Sequence, residues 1–112
     1  MAGKIAFQGE LGAYGHQACR QARPDMEALP CPTFDDAIES VRRGDADLGM
    51  IAVENSTYGR VGDVHTLLPE SGLHIVDEAF VRVHINLLGL PGARTADITE
   101  AYGHPVILPQ CR

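Results

Sequence analysis

The stretch "DLGMIAVENSTYGRVGDV", residues 47–64, decides the fold. Its first half is apolar at nearly every position, and Asp47–Glu54 reads as a strand covered on both faces, as strands of parallel sheets are. Helical spacing resumes at Gly62. Between the two lie Glu54, Asn55, Ser56 and Thr57, which bring a carboxylate, an amide and two hydroxyls to the end of a core strand. In an open α/β sheet that is where ligands bind, beyond the carboxyl ends of the strands.

Working outward from this stretch, the pattern repeats on its amino-terminal side. "TFDDAIESVRRGD" is the clearest helix: Thr33 caps it, Asp35 and Asp36 sit in the first turn, Arg42 and Arg43 in the last, and Gly44 closes it. Phe34, Ala37, Ile38 and Val41 form one apolar stripe. "MEALPCP" reads as a brief strand confined by its prolines to an edge or an end. "KIAFQG" reads as the first strand, and "ELGAYGHQACRQARP" as a turn and a helix stopping at Pro24. On the other side, "GDVHTLLPESG" is amphipathic, with Val61, Val64 and Leu68 together and Pro69 and Gly72 as its end. Residues 73–92 read as a long extended stretch whose alternation is strongest from Phe80 to Leu87, with Val81, Val83, Ile85 and Leu87 on one face. A short helical turn at "TADITE" and a further element after Pro105 complete the chain. The order β-α-β-α-β-α-β predicts an α/β lobe with a largely parallel sheet.

The totals bound the function. The chain has 112 residues, about one domain or one lobe of a larger one, and 45% of them are hydrophobic, which argues against disorder. Nine Lys and Arg against fifteen Asp and Glu give a net charge of −6 with no basic cluster, which argues against a phosphate-tracking nucleic-acid surface. An anionic small substrate remains compatible, because the donors of a pocket outweigh net charge. Cys19, Cys31 and Cys111 are odd in number and widely spaced, and are expected as reduced thiols of a cytosolic protein. The five histidines, His16, His65, His74, His84 and His104, lack metal-ligand spacing. No apolar run approaches the length of a membrane span, and no signal peptide opens the chain, so a soluble cytoplasmic protein is expected.

Three constellations carry possible chemistry. "GELGAYG" spaces its glycines as G-x-x-G-x-x-G, which is not the dinucleotide fingerprint. It is either a flexible βα turn or a turn whose main-chain N–H groups, at Gly12, Ala13 and Tyr14, meet an anion at a helix N-terminus, and spacing does not choose. Glu54-Asn55-Ser56-Thr57 is either a helix cap, the better reading on spacing alone, or a convergence of polar groups on a ligand. Gln110 in "HPVILPQCR" has no role that spacing would assign.

"IAFQGELGAYGHQAC", "FDDAIESVRRGDADLGMIAVENSTYGRVGDVHTLL" and "HINLLGLPGA" together resemble the amino-terminal part of prephenate dehydratases, from about Lys4 to Arg112. The resemblance implies conversion of prephenate to phenylpyruvate, with loss of water and carbon dioxide, in phenylalanine biosynthesis. It implies a two-lobed α/β fold like that of periplasmic binding proteins of type II, with residues 1–80 as the first lobe and 81–112 as the crossover and the start of a second. It implies no metal or organic cofactor, a small-molecule substrate, and usually a phenylalanine-sensing ACT domain after the catalytic part. A homodimer through the region after residue 80 is expected on other grounds: in an incomplete second lobe the apolar faces of Val81, Val83, Ile85 and Leu87, and of Val106, Ile107 and Leu108, lack partners.

By the same resemblance Glu54, Asn55 and Ser56 match the family's Glu-Asn-Ser element, and Gln110 matches a cleft glutamine. These four are the expected catalytic residues, with Thr57, Gly12, Ala13, Tyr14 and His104 as expected substrate-binding residues. Two family serines are replaced: Gly103 precedes His104, and Gly15 precedes His16. The family's Thr-Arg-Asp element and the ACT domain have no counterpart in these 112 residues, so the expectation is a fragment, a truncated form or a degenerate member that is inactive alone. The alternative expectation is a non-catalytic module that recognises an aromatic or carboxylate ligand.

Overall fold

A computed structural model of the chain describes residues 3–56, 59, 60, 62–103, 105 and 107–111; at 59, 60, 62 and 63 it describes the main chain alone. Three strands, β1 (Lys4–Gln8), β2 (Glu27–Cys31) and β3 (Leu48–Met50), form a parallel sheet in the order β2-β1-β3. β1 is the central strand because it can bury both faces: Ile5, Ala6 and Phe7 are all buried. β2 takes an edge, as its proline requires, with Pro30 standing opposite Phe7 in the register.

The two faces of β1 are covered by different helices. Helix α1 (Tyr14–Ala22) lies over the Ile5 and Phe7 side, where Cys19 completes a cluster flanked by Met26, Ala28, Leu48 and Met50. Helix α2 (Phe34–Arg43) lies over the Ala6 side, with Cys31, Ala37 and Ala46 buried and Leu29, Val41 and Ile51 packed around them. The small side chains on this side let helix and sheet approach closely; a Cβ built on Gly49 would stand 3.3 Å from Val41 Cγ2.

The ends of α2 follow its sequence. Thr33 Oγ1 accepts the Asp36 N–H at 3.1 Å, and Gly44, at φ 84°, donates its N–H to the Val41 carbonyl at 3.1 Å. A left-handed φ of this kind is where glycine relieves a steric penalty. Helix α3 (Gly62–Ser71) packs against α2 with Val64 fully buried and Leu68 half-buried; Val61, expected on the same side, lies outside the described residues.

Several expectations need correction. The strand read as Asp47–Glu54 stops at Met50, because its ladder partner ends: Phe7 pairs with Met50, and the chain turns away at Gly9, φ 129°. Ala52, Val53 and Glu54 are exposed, and a separate two-stranded ribbon begins instead, β4 (Glu54–Asn55) antiparallel to β5 (Gly59–Arg60). Helix α3 passes through Pro69, which was expected at its end, and stops at Ser71 before Gly72, φ 77°, as expected; the Ser71 hydroxyl donates to the Leu68 carbonyl at 2.7 Å and accepts the Leu73 N–H at 3.1 Å.

The stretch 73–92 forms no ladder among the described residues. Val81 and Val83 are half-buried, whereas Phe80, Ile85, Leu87, Leu88 and Leu90 are exposed. Alternation supplies a strand's faces, but a strand also needs a neighbour for its main-chain groups. Short 3₁₀ turns stand at Thr95–Asp97 and Leu108–Gln110, where helical turns or a further element were expected.

Candidate functional site

The carboxyl end of β1 leads into the glycine turn. Gly9 donates its N–H to the Cys31 carbonyl at 2.9 Å, which fixes the turn to β2. Gly12 has a φ of 94°, a conformation that a side chain would strain. Its N–H donates to His16 Nδ1 at 2.8 Å, and the Ala13 N–H donates to the Glu10 carbonyl at 3.1 Å. Two of the N–H groups expected to meet an anion are therefore already used within the turn.

His16 is a residue that spacing did not single out as functional. It is the third helical residue of α1, where a side chain can reach back to an orphan N–H, as the glutamate of a capping box does. The accepting Nδ1 carries no proton, so in this arrangement the ring is neutral with its N–H at Nε2. Its plane stacks on buried Phe7, centroids 5.8 Å apart and 14° from parallel. A Cβ on Gly15 would stand 3.0 Å from the Phe7 ring, so a serine there would press on this stack.

The second part of the site stands on the β4–β5 ribbon. Glu54 and Ser56 are exposed and Asn55 is half-buried. Glu54 pairs with Arg60 and Asn55 with Gly59 in an antiparallel ribbon, where the composition suggests a simple strand-to-helix turn. The main chain before it is tied to α3 by His65 Nε2, 2.9 Å from the Val53 carbonyl.

The structure brings together two of the expected site residues. Asn55 Nδ2 donates to Gln110 Oε1 at 3.1 Å, across 55 residues of sequence. Gln110 closes the 3₁₀ turn at 108–110 and is half-buried. A Cβ on Gly103 would meet Leu108 Cδ2 at 3.4 Å, an ordinary contact, so this part of the chain has room for a side chain at that position. Thr57 and His104 lie outside the described residues. Tyr14 directs its hydroxyl to the main chain of His84.

Among the described residues no cluster of His, Cys, Asp and Glu could hold a metal ion, and no helix is long and apolar enough to cross a membrane. Away from the Asn55–Gln110 pair, burial pushes the Cys19 thiol up to about 11. The Glu78 N–H and then the Arg23 guanidinium hold the Asp77 carboxyl below its ordinary value.

A pair of neutral amides at a hairpin beyond a parallel sheet can orient carboxylates and polarise a hydroxyl without carrying charge into the site. The family model described as prephenate dehydratase matches residues 5–112. A bifunctional N-acyl-homoserine lactone acylase/prephenate dehydratase from Komagataeibacter europaeus is 55% identical over 108 residues, covering 96% of this chain and 38% of that protein. Arogenate dehydratase 5 from Arabidopsis thaliana is 43% identical over 107 residues, covering 96% of this chain and 25% of that protein. A solved structure titled "GqqA- a novel type of quorum quenching acylases" superposes with a TM-score of 0.66 at 59% identity, over 72% of this chain and 42% of that one. The chain thus spans well under half the length of these relatives. Its match to the family runs nearly end to end, and it belongs to the prephenate dehydratase family.

Proposed function

We propose that the chain supplies the first lobe and part of the cleft of a prephenate dehydratase, and that Asn55 and Gln110 together hold the substrate. The observation that carries this reading is the 3.1 Å contact between the two amides, since each was expected in the cleft separately and they meet across 55 residues. The reaction asks little covalent chemistry of the protein. The ring carboxylate leaves as carbon dioxide, its C–C bonding electrons move into the ring, and the ring hydroxyl departs with a proton as water. Aromatisation provides the driving force. The protein must align carboxylate and hydroxyl for elimination and assist the departure of hydroxide by a hydrogen bond or a proton.

In this reading Asn55 and Ser56 orient the acid groups and the hydroxyl, Thr57 and His104 serve as further substrate-binding residues, and Glu54 holds its neighbours or supplies the proton. A substrate carboxylate reaching the Gly12–Ala13 turn displaces His16 from the Gly12 N–H, because that donor is otherwise used. The fold that suits this role is two-lobed and periplasmic-binding-like, with residues 1–80 as the first lobe. The same reading makes the protein a cytoplasmic lyase that pairs with a second copy through the segment after residue 80. No cofactor takes part in the elimination so written. Among known functions of relatives, arogenate is a second substrate to be offered in parallel.

A second reading rests on one observation. The relatives at 55% and 59% identity both carry acylase in their descriptions, so hydrolysis of an N-acyl-homoserine lactone competes as an activity of the whole protein. The test takes the protein as its host makes it, with its length read by intact mass. It follows phenylpyruvate from prephenate and homoserine lactone from an N-acyl-homoserine lactone. The proposal expects phenylpyruvate, formed far more slowly by the Asn55→Ala protein. Equal rates in both proteins, or homoserine lactone alone, would reject it.

A further inference from the structure

Tyr14 opens helix α1, beside the glycine turn, yet its hydroxyl points to the far part of the chain. The Oη donates to the His84 carbonyl at 2.6 Å and accepts the His84 N–H at 2.7 Å, across 70 residues of sequence. In extended chain the N–H and C=O of one residue point to the same side, which is how paired residues of an antiparallel ladder exchange both bonds. Here one phenol stands in for the missing ladder partner.

A second contact fixes the direction of the segment. Arg23, just past the end of α1, pairs with Asp77 at 3.2 Å. Residues 77–84 therefore run antiparallel along α1, from its carboxyl end to its amino end. Between the two anchors Val81 and Val83 are half-buried. From His84 the chain continues to the 3₁₀ turn that carries Gln110 back to Asn55.

We propose that Tyr14 is a positioning residue: its hydroxyl latches the main chain at His84 and so sets where the segment carrying Gln110 returns to Asn55. The role in positioning rests on the Asn55–Gln110 pair being the substrate site, but the latch can be tested without substrate. Tyr14→Phe keeps the ring and removes the hydroxyl. In amide hydrogen exchange we expect the protection of His84 to fall about tenfold, as loss of one to two ordinary hydrogen bonds implies. The amides of Ala6 and Phe7 in the central strand should keep their protection. The side-chain amide resonance of Asn55 should move toward that of a free asparagine.

Unchanged protection at His84 would overturn the latch. Lost protection at His84 with an unchanged Asn55 side-chain signal would overturn the positioning role. If Tyr14→Phe lowers protection in the central strand as well, the unmodified chain decides. The latch requires a nuclear Overhauser contact between the Tyr14 ring Hε and the His84 amide proton, and its absence overturns the proposal. No readout here uses turnover, so failure to transform prephenate would count against the dehydratase reading and not against the latch.

Discussion

Removing the Asn55–Gln110 contact by a double-mutant cycle separates a tertiary contact from a coincidence of two polar residues. The perturbations are Asn55→Ala, Gln110→Ala and the two combined. The bond is between neutral amides at 3.1 Å, and both residues are half-buried. Such a bond contributes about 0.5–1.5 kcal/mol net, because folding exchanges water partners for protein ones. Both residues make further contacts, so each single substitution costs more than the bond itself. The cycle subtracts those contacts and leaves the pairwise term. We expect a coupling of about 1 kcal/mol in urea unfolding followed by circular dichroism, or about 4–8 °C in melting temperature for a unit of this size. A coupling within about 0.3 kcal/mol of zero, the usual error of additivity for independent sites, would refute the reasoning. The two residues would then approach each other without sharing energy.

Other consequences are as direct. Thr33→Ala removes the acceptor of the Asp36 N–H and should lower stability by about 1 kcal/mol in the same urea assay, with Thr33→Ser recovering most of it. Cys111 is exposed and Cys19 is buried with its thiol pushed up to about 11, so iodoacetamide at neutral pH should label Cys111 first and leave Cys19 unmodified in the folded chain. Because the folded thiol of Cys19 keeps its proton above its ordinary value of 9.0, the folded state binds more protons than the unfolded one between that value and about 11. Stability should therefore fall as pH rises through that window, and less steeply in Cys19→Ala. Size-exclusion chromatography with light scattering should show a dimer, since Phe80, Leu88 and Leu90 are more than four-fifths exposed, and Leu88→Glu should shift it toward monomer.

Much of the first α/β unit could be read from residues alone, for local reasons. Thr33 and Gly44 mark the two ends of α2 through hydrogen bonds made within a few residues, and Pro30 restricts β2 to an edge by lacking a donor. Tertiary facts escaped that reading. The run 47–54 looks like one strand because it is apolar at nearly every position, but its length is set by β1, which turns away at Gly9. The alternation of 80–87 was visible, whereas its neighbour is a phenol 70 residues earlier, which no periodicity encodes. Of the site, the glycine turn and "ENST" stood out by composition. The meeting of Asn55 with Gln110 could be anticipated only through the family resemblance. His16 carries a usable signal in the sequence, a side chain at the third helical position able to reach back to Gly12.

The most direct test of the central claim is a titration of the isotopically labelled chain with prephenate, following main-chain and side-chain amides by nuclear magnetic resonance. The account predicts saturable shifts centred on Asn55 and Gln110, with a change at the Gly12 N–H as His16 gives way to a carboxylate, and loss of these shifts in Asn55→Ala. Shifts that avoid Asn55 and Gln110, or that persist unchanged in Asn55→Ala, would contradict it.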